Sequence, residues 1–369
     1  MHSHGMFNPS RLTLARKRRG LTKTRLATAI DVERRAVTGY EAGEYPPAPE
    51  TLARLVEVLR FPSAFFFGDD LEEPSAGTAS FRAMSKMTAG QRDMALGQGA
   101  IALHFNHWLE SRFELPPAGL PDLRHERDPE AAAAALRQLW ALGQQPVKNL
   151  VHLLESKGVR VFSLSVDAAE VDAFSMWKDG VPFIFLNTGK SAEHGRFDAA
   201  HELGHLVLHR HGSPNGREAE QEADTFASAF LMPRGAVLAH ALRFSTLTQL
   251  VTLKRIWTVS LAALTYRLHA VGVLSDWHYR NLCIEISQRG FRKQEPDEAP
   301  RETSQVMAKV FAALREDGIT KSDIAQQLSV SSTEIDQLAF GLMIQSITET
   351  ADELTSAPRR STLLRLVKR

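Results

Sequence analysis

The chain has 369 residues, a formal net charge of +1, 43% hydrophobic and 24% charged residues, the make-up of a soluble globular protein of two or three domains rather than a fibrous or disordered one. No apolar run reaches the eighteen residues of a membrane helix, and the start, "MHSHGMFNPS", has neither the basic stretch nor the apolar core of a secretory signal, so a cytoplasmic protein with no membrane partner is expected. The single cysteine, Cys283, excludes an internal disulfide and offers at most one thiolate, so any metal must rest on histidine and carboxylate.

Charge is unevenly spread. Residues 11–35 hold nine Lys/Arg against Asp31 and Glu33, or +7 locally, which points to a polyanion-facing module. The same stretch breaks into short helical pieces. Pro9 and Ser10 open the first and Gly20 ends it, and Thr22 is placed to cap "KTRLATAI". In "ERRAVTGYEAG" Ala36, Val37 and Tyr40 fall inward, and Pro49 starts "ETLARLVEVL", with Leu52, Leu55, Val56 and Leu59 at helical spacing. Two short helices joined by a tight turn, the second with a polar start, predict a helix-turn-helix whose second helix enters the major groove.

Over about residues 10–67 this stretch resembles the lambda-repressor/Cro-like family, also called xenobiotic-response-element (XRE) type. The resemblance implies operator DNA as partner, usually bound by a homodimer. Arg34, Arg35 and Thr38 are the expected base-reading residues, and Arg16, Lys17, Arg18, Lys23 and Arg25 the expected phosphate contacts. Glu33, at the front of the recognition helix, opposes phosphate unless it reads a cytosine amino group.

An acidic, Pro- and Gly-bearing connector, "GDDLEEPSAGTA", leads into a long amphipathic helix, "MTAGQRDMALGQGAIALHFNHWLESRFELP", and two more helices in 128–158. Near residue 159 the period changes. "VRVFSL" and "DAFSMWKDGVPFIFLN" read as strands of a small antiparallel sheet, with "KDG" as a hairpin turn.

The next helix, "GRFDAAHELGHLVLHRHG", sets His201 and His205 one turn apart on the same side, where two imidazoles can reach one tetrahedral Zn²⁺. Glu202 lands beside the metal's open position, as a general base for water attacking a peptide carbonyl requires. His209, a further turn along the rigid helix, cannot easily converge on the same ion. "REAEQEADTFASAFLMP" supplies a second helix with an apolar stripe. Glu222 lies on the edge of that stripe, where a carboxylate is costly unless paired or ligating. It is therefore the expected third ligand, more informative than Glu218 or Glu220, with Glu218 as substitute.

The pieces "PFIFLN", "RFDAAHELGHLVLH" and "EADTFASAFLMP" resemble the ImmA/IrrE family of cytosolic zinc metallopeptidases over about residues 155–240. The resemblance implies a gluzincin-like site in which His201, His205 and Glu222 bind zinc and Glu202 polarises water. It also implies an edge strand at "VPFIFLN" able to pair with substrate, and a partner repressor as substrate. The oxyanion helper stays open among His209, Arg196, His240 and Tyr266.

Beyond residue 241 the pattern imitates a helix-turn-helix twice. The first instance is expected to close one side of the cleft. The second, bearing Glu334 and Asp336 where a DNA reader would be basic, is expected to be a packing or oligomerisation unit before a basic tail. The expected fold class is mainly α and multidomain, with helix-turn-helix 1–70, linker 71–85, a central α+β gluzincin-like domain 86–240, a helical subdomain 241–296 and a C-terminal helical unit 297–369. The expected function is a cytoplasmic transcriptional regulator that joins sequence-specific DNA binding to zinc-dependent cleavage of a repressor-like or antitoxin-like protein. Two alternatives stand beside it: a non-proteolytic transcription factor whose peptidase-like domain senses metal or a small ligand, and an antitoxin-like interaction protein.

Overall fold

The computed structural model describes residues 6–74, 80–81, 88–164, 171–210, 216–240, 246–339 and 365–366. Residues 75–79 and 82–85 of the 71–85 linker and most of the basic tail lie outside the described residues.

The N-terminal helices are α1 (Pro9–Arg18), α2 (Lys23–Ala29), α3 (Arg34–Ala42) and α4 (Pro49–Leu59), followed by a 3-10 turn at Ser63–Phe67. The local signals act as expected. Thr22 Oγ1 accepts the Arg25 amide at 3.1 Å, starting α2, and Gly43, at φ +72°, ends α3. Strand β1 (Ser80–Phe81) precedes the long α5 (Ala89–Glu110), β2 (Phe113–Glu114), α6 (Pro129–Leu139) and α7 (Leu150–Ser156). Then come β3 (Arg160–Leu164), β4 (Ala173–Lys178), β5 (Val181–Asn187), α8 (Ala192–Leu208), α9 (Arg217–Leu231) and α10 (Arg234–His240). Helices α11 (Leu247–Trp257), α12 (Leu261–Ala270), α13 (Asp276–Gln288), α14 (Gln305–Glu316), α15 (Lys321–Gln327) and α16 (Ser332–Ala339) follow, and β6 (Arg365–Leu366) pairs with β2.

The sheet corrects two expectations. Its order is β1-β4-β5-β3, and β3 runs parallel to β5, so the sheet is mixed rather than antiparallel. Within this sheet the β4–β5 and β1–β4 pairs are antiparallel. "VPFIFLN" is β5, which has a neighbour on each side and so cannot serve as an edge strand. Alternation along a strand shows which side chains share a face, but not which strands become neighbours.

That alternation divides the molecule. Phe162, Phe174, Phe183 and Phe185 face one core, shared with the N-terminal helices, α5 and the α14–α16 unit. Val161, Ala173, Ile184 and Leu186 face a second core built from α6 to α13. Phe174 and Phe185 stack at 4.3 Å across the β4–β5 pair. Ser175, between Phe174 and Met176, therefore sits on the α8 side.

The C-terminal unit locks onto the first helix by charge as well as by apolar contact. Glu334 is fully buried and takes hydrogen bonds from Arg18 Nε at 3.0 Å and Arg19 Nη1 at 2.7 Å. Arg18 is itself 1% exposed. Deleting one member of such a group strands the other charges in a dry site, so Glu334→Ala should cost about 3–5 kcal/mol of stability in urea unfolding. A loss below about 1 kcal/mol would mean that water reaches these guanidiniums.

The α7–α14 junction is held by carboxylates at two helix starts. Glu302 accepts the amides of Leu150 and Val151, and Glu155 accepts those of Gln305 and Val306. Burial pushes the Glu155 carboxyl up to about 7 despite these donors and the Ser304 hydroxyl.

Candidate metal centre and DNA interface

Helix α8 starts on the Ser191 cap and runs against β4 and β5 on one side and α9 on another. Gly204, inside "HELGH", permits the close α8–α9 approach. A Cβ there would stand 3.0 Å from a ring carbon of Phe226 and 3.3 Å from the Ala223 Cα. The approach brings the first turns of α9 alongside His201 and His205.

His201 Nε2 and His205 Nε2 are 3.1 Å apart and buried. Glu220 completes the group, with one carboxylate oxygen 3.4 Å from His201 Nε2 and the other 3.4 Å from His205 Nε2. Donors at the usual 2.0–2.1 Å zinc distance on tetrahedral axes are about 3.3 Å apart, so this set fits a single zinc ion. Burial alone would raise the Glu220 carboxyl, but the two imidazoles hold it down at about 2, which keeps it ionised and able to ligate. His201, His205 and Glu220 are the metal-competent cluster among the described residues.

The structure does not bring Glu222 to this point. Its Oε2 instead meets His209 Nε2 at 2.7 Å, and His209 Nδ1 meets His205 Nδ1 at 3.0 Å. Glu222 and His209 thus brace the back of His205, while Asp224 Oδ1, 2.8 Å from His201 Nδ1, braces His201. Glu218 is exposed. Glu220 and Glu222 border opposite sides of one apolar stripe, so costly burial alone could not choose between them. A usable signal is present: Glu220 and Asp224 are one turn apart and so share a face, a metal-competent carboxylate and an imidazole anchor side by side.

Glu202 is fully buried against the sheet, where Ser175 Oγ donates to its Oε2 at 2.7 Å. On the other side a cleft of about 630 Å³ reaches Glu220 and Asp224 between α8, α9 and α12. Of the four oxyanion candidates, only half-exposed Tyr266 lines that cleft. Arg196 is taken by Glu302 and the Val147 carbonyl, His209 by Glu222, and His240 by the Ala236 carbonyl.

On the DNA side, Arg34, Arg35 and Thr38 lie exposed along α3 and Arg25 is exposed on α2. Glu33 pairs with Arg35 at 2.8 Å, both groups in solvent. Lys23 pairs with Glu41 at 3.2 Å, and Lys17 with Glu73 at 3.6 Å, each lysine keeping about a third of its side chain exposed. Two expected phosphate contacts are corrected. Arg16 is bound at 2.5 Å to Glu41, whose side chain is 4% exposed, and Arg18 is buried on Glu334, so neither guanidinium faces a polyanion.

Fold and site together define a helix-turn-helix protein with a peptidase-type helix pair. Comparison with known families bears this out. The helix-turn-helix family profile matches residues 12–66, and the IrrE N-terminal-like domain profile, of peptidase family M78, matches residues 154–269. The chain therefore joins an XRE-type helix-turn-helix to an IrrE/ImmA-like domain. No curated protein matches the chain. No described helix is long and apolar enough to cross a membrane.

Proposed function

We propose that this transcription regulator binds operator DNA through α2 and α3 and hydrolyses a peptide bond in a repressor-like or antitoxin-like protein at a zinc centre formed by His201, His205 and Glu220. The observation that carries the reading is the convergence of three ligand atoms from His201, His205 and Glu220, two of them on the helix that also carries Glu202. A zinc ion held there would supply an acidic water near neutral pH and polarise the carbonyl. Glu202 would take that water's proton and return it to the leaving amine. Ser175 donates to Oε2 and so orients the carboxylate. Asp224 and the His209–Glu222 pair fix the imidazole planes, so that both Nε2 atoms point at one spot.

The test of this reading is incubation of the zinc-loaded full chain with candidate repressor proteins. Fragments that vanish on chelation are expected. Intact partners at full zinc occupancy would favour the second reading, in which the domain senses rather than cuts. One observation supports that alternative. His201, Glu202 and His205 are all buried, and the outer edge of β4, the strand that meets Glu202, is paired with β1 at Phe174 and Ser175. A strand-like substrate would have to displace β1.

For DNA, the reading expects a homodimer on two half-sites about 34 Å apart. Replacing Arg25, a phosphate contact on this reading, with alanine should weaken binding across sequences and reduce the logarithmic salt slope by about 1. Replacing Arg34 should instead cost about 1–3 kcal/mol at one base position. An unchanged salt slope and unchanged sequence preference would remove α2 and α3 from the interface.

A further inference from the structure

Far along α9 from the metal cluster, a second cavity of about 570 Å³ opens between α6, α10 and α12. Its wall carries Arg137, Arg234 and Arg267, with Glu130, Gln138 and Gln144. Three guanidiniums face one carboxylate, and that carboxylate is already committed. Glu130 forms a two-pronged pair with Arg267, at 2.8 and 3.0 Å.

Arg137 is the unusual member. It is 3% exposed, yet its three hydrogen bonds all go to main-chain carbonyls: Gly143 at 2.9 Å, Phe230 at 2.6 Å and Gln145 at 2.5 Å. No carboxylate lies within ion-pair distance of it among the described residues. A guanidinium has five N–H donors, so these carbonyls, with the Phe230 ring 5.7 Å from Cζ, orient the group without supplying a negative charge. Burial accordingly pushes its pKa down to about 10. Burying an arginine without a counter-charge is expensive, and a bound anion removes that cost. Arg234, exposed at the rim, carries a second charge with no carboxylate in ion-pair distance among the described residues.

We propose that this cavity is a binding site for a small anionic metabolite, held through a phosphate or carboxylate group by Arg137 and Arg234, with Gln138 beside them. The volume suits a metabolite rather than a peptide side chain. The site shares no donor with the metal cluster, so it stands or falls separately from the hydrolase reading. The two sites share a helix. Ala229 of the cavity wall lies nine residues beyond Glu220 on α9, about 13 Å along a rigid helix.

The experiment is calorimetric titration of the full chain at low salt with inorganic phosphate and, separately, with succinate. One of the two is expected to bind saturably at one per chain, and the winner identifies the recognised group. Arg234→Ala, which removes a rim charge, and Ala134→Glu, which adds a repelling one at an exposed wall position, should each weaken that binding at least tenfold. An Arg34→Ala, Arg35→Ala chain should bind as wild type does, because those charges lie on the DNA face. Absence of saturable binding by both anions overturns the proposal. So does binding that survives both pocket variants, or that disappears with the α3 charges.

Discussion

Replacing Glu202 with glutamine is expected to lower peptide-bond hydrolysis by about 10²–10⁴, with zinc content unchanged. The size follows from what the side chain does. Glutamine keeps the shape and still accepts the Ser175 hydroxyl, but cannot take a proton from water or return it to the amine. Metal content should hold, because the proposed ligand atoms belong to His201, His205 and Glu220 and not to Glu202. Both quantities are measured on one preparation, hydrolysis by fragment mass and zinc by elemental analysis. Cleavage persisting at the wild-type rate would move the proton transfer elsewhere in the cleft. Loss of metal together with activity would place Glu202 among the ligands.

The second large effect separates two acids that are two residues apart. Glu220→Ala removes a ligand, whereas Glu222→Ala removes only the brace behind His209. Losing a brace typically costs 10–100-fold in metal affinity, so the expected loss is about 10-fold for Glu222→Ala and well above 100-fold for Glu220→Ala. Competition with a zinc-binding dye, carried out on full-length protein, reads both. A larger loss at Glu222 than at Glu220 would restore the sequence-based assignment and reject the geometry of α9.

The contrast between these acids shows what the sequence could and could not disclose. Elements defined by local chemistry were legible: the Thr22 cap, Pro49 at the head of α4, the "KDG" turn between β4 and β5, and His201 and His205 one turn apart on α8. Each depends on neighbours within a few residues. Which α9 acid stands at the histidine pair depends on how α9 is rolled against α8, where Gly204 meets Phe226 and Ala223. An apolar stripe with an acid on each border gives no preference between them until the partner helix is in place.

Distance along the chain explains the other misses. Arg18 sits in a basic run that reads as a phosphate-binding face, but its partner Glu334 is 316 residues away. One of the two carboxylates that mark α16 as a poor DNA reader, Glu334, therefore joins it to α1, while Asp336 pairs with Lys321 of α15. The partner of Arg16 is nearer, Glu41 at the end of α3, but the pair forms only because the helices of the small domain fold back on one another. The alternation in "VPFIFLN" marks a strand, and the segment is β5. Its interior place depends on β3 adding in parallel on one side and β4 returning on the other, and the alternating pattern carries neither fact.

The central claim is that the histidine helix of this regulator holds a metal. Zinc content of the purified full chain, measured beside His201→Ala at matched protein concentration, tests it most directly. One zinc per wild-type chain and essentially none in His201→Ala is the result expected from three converging donors. Equal zinc in the two proteins, or a wild type that takes up no zinc when it is supplied, would contradict it.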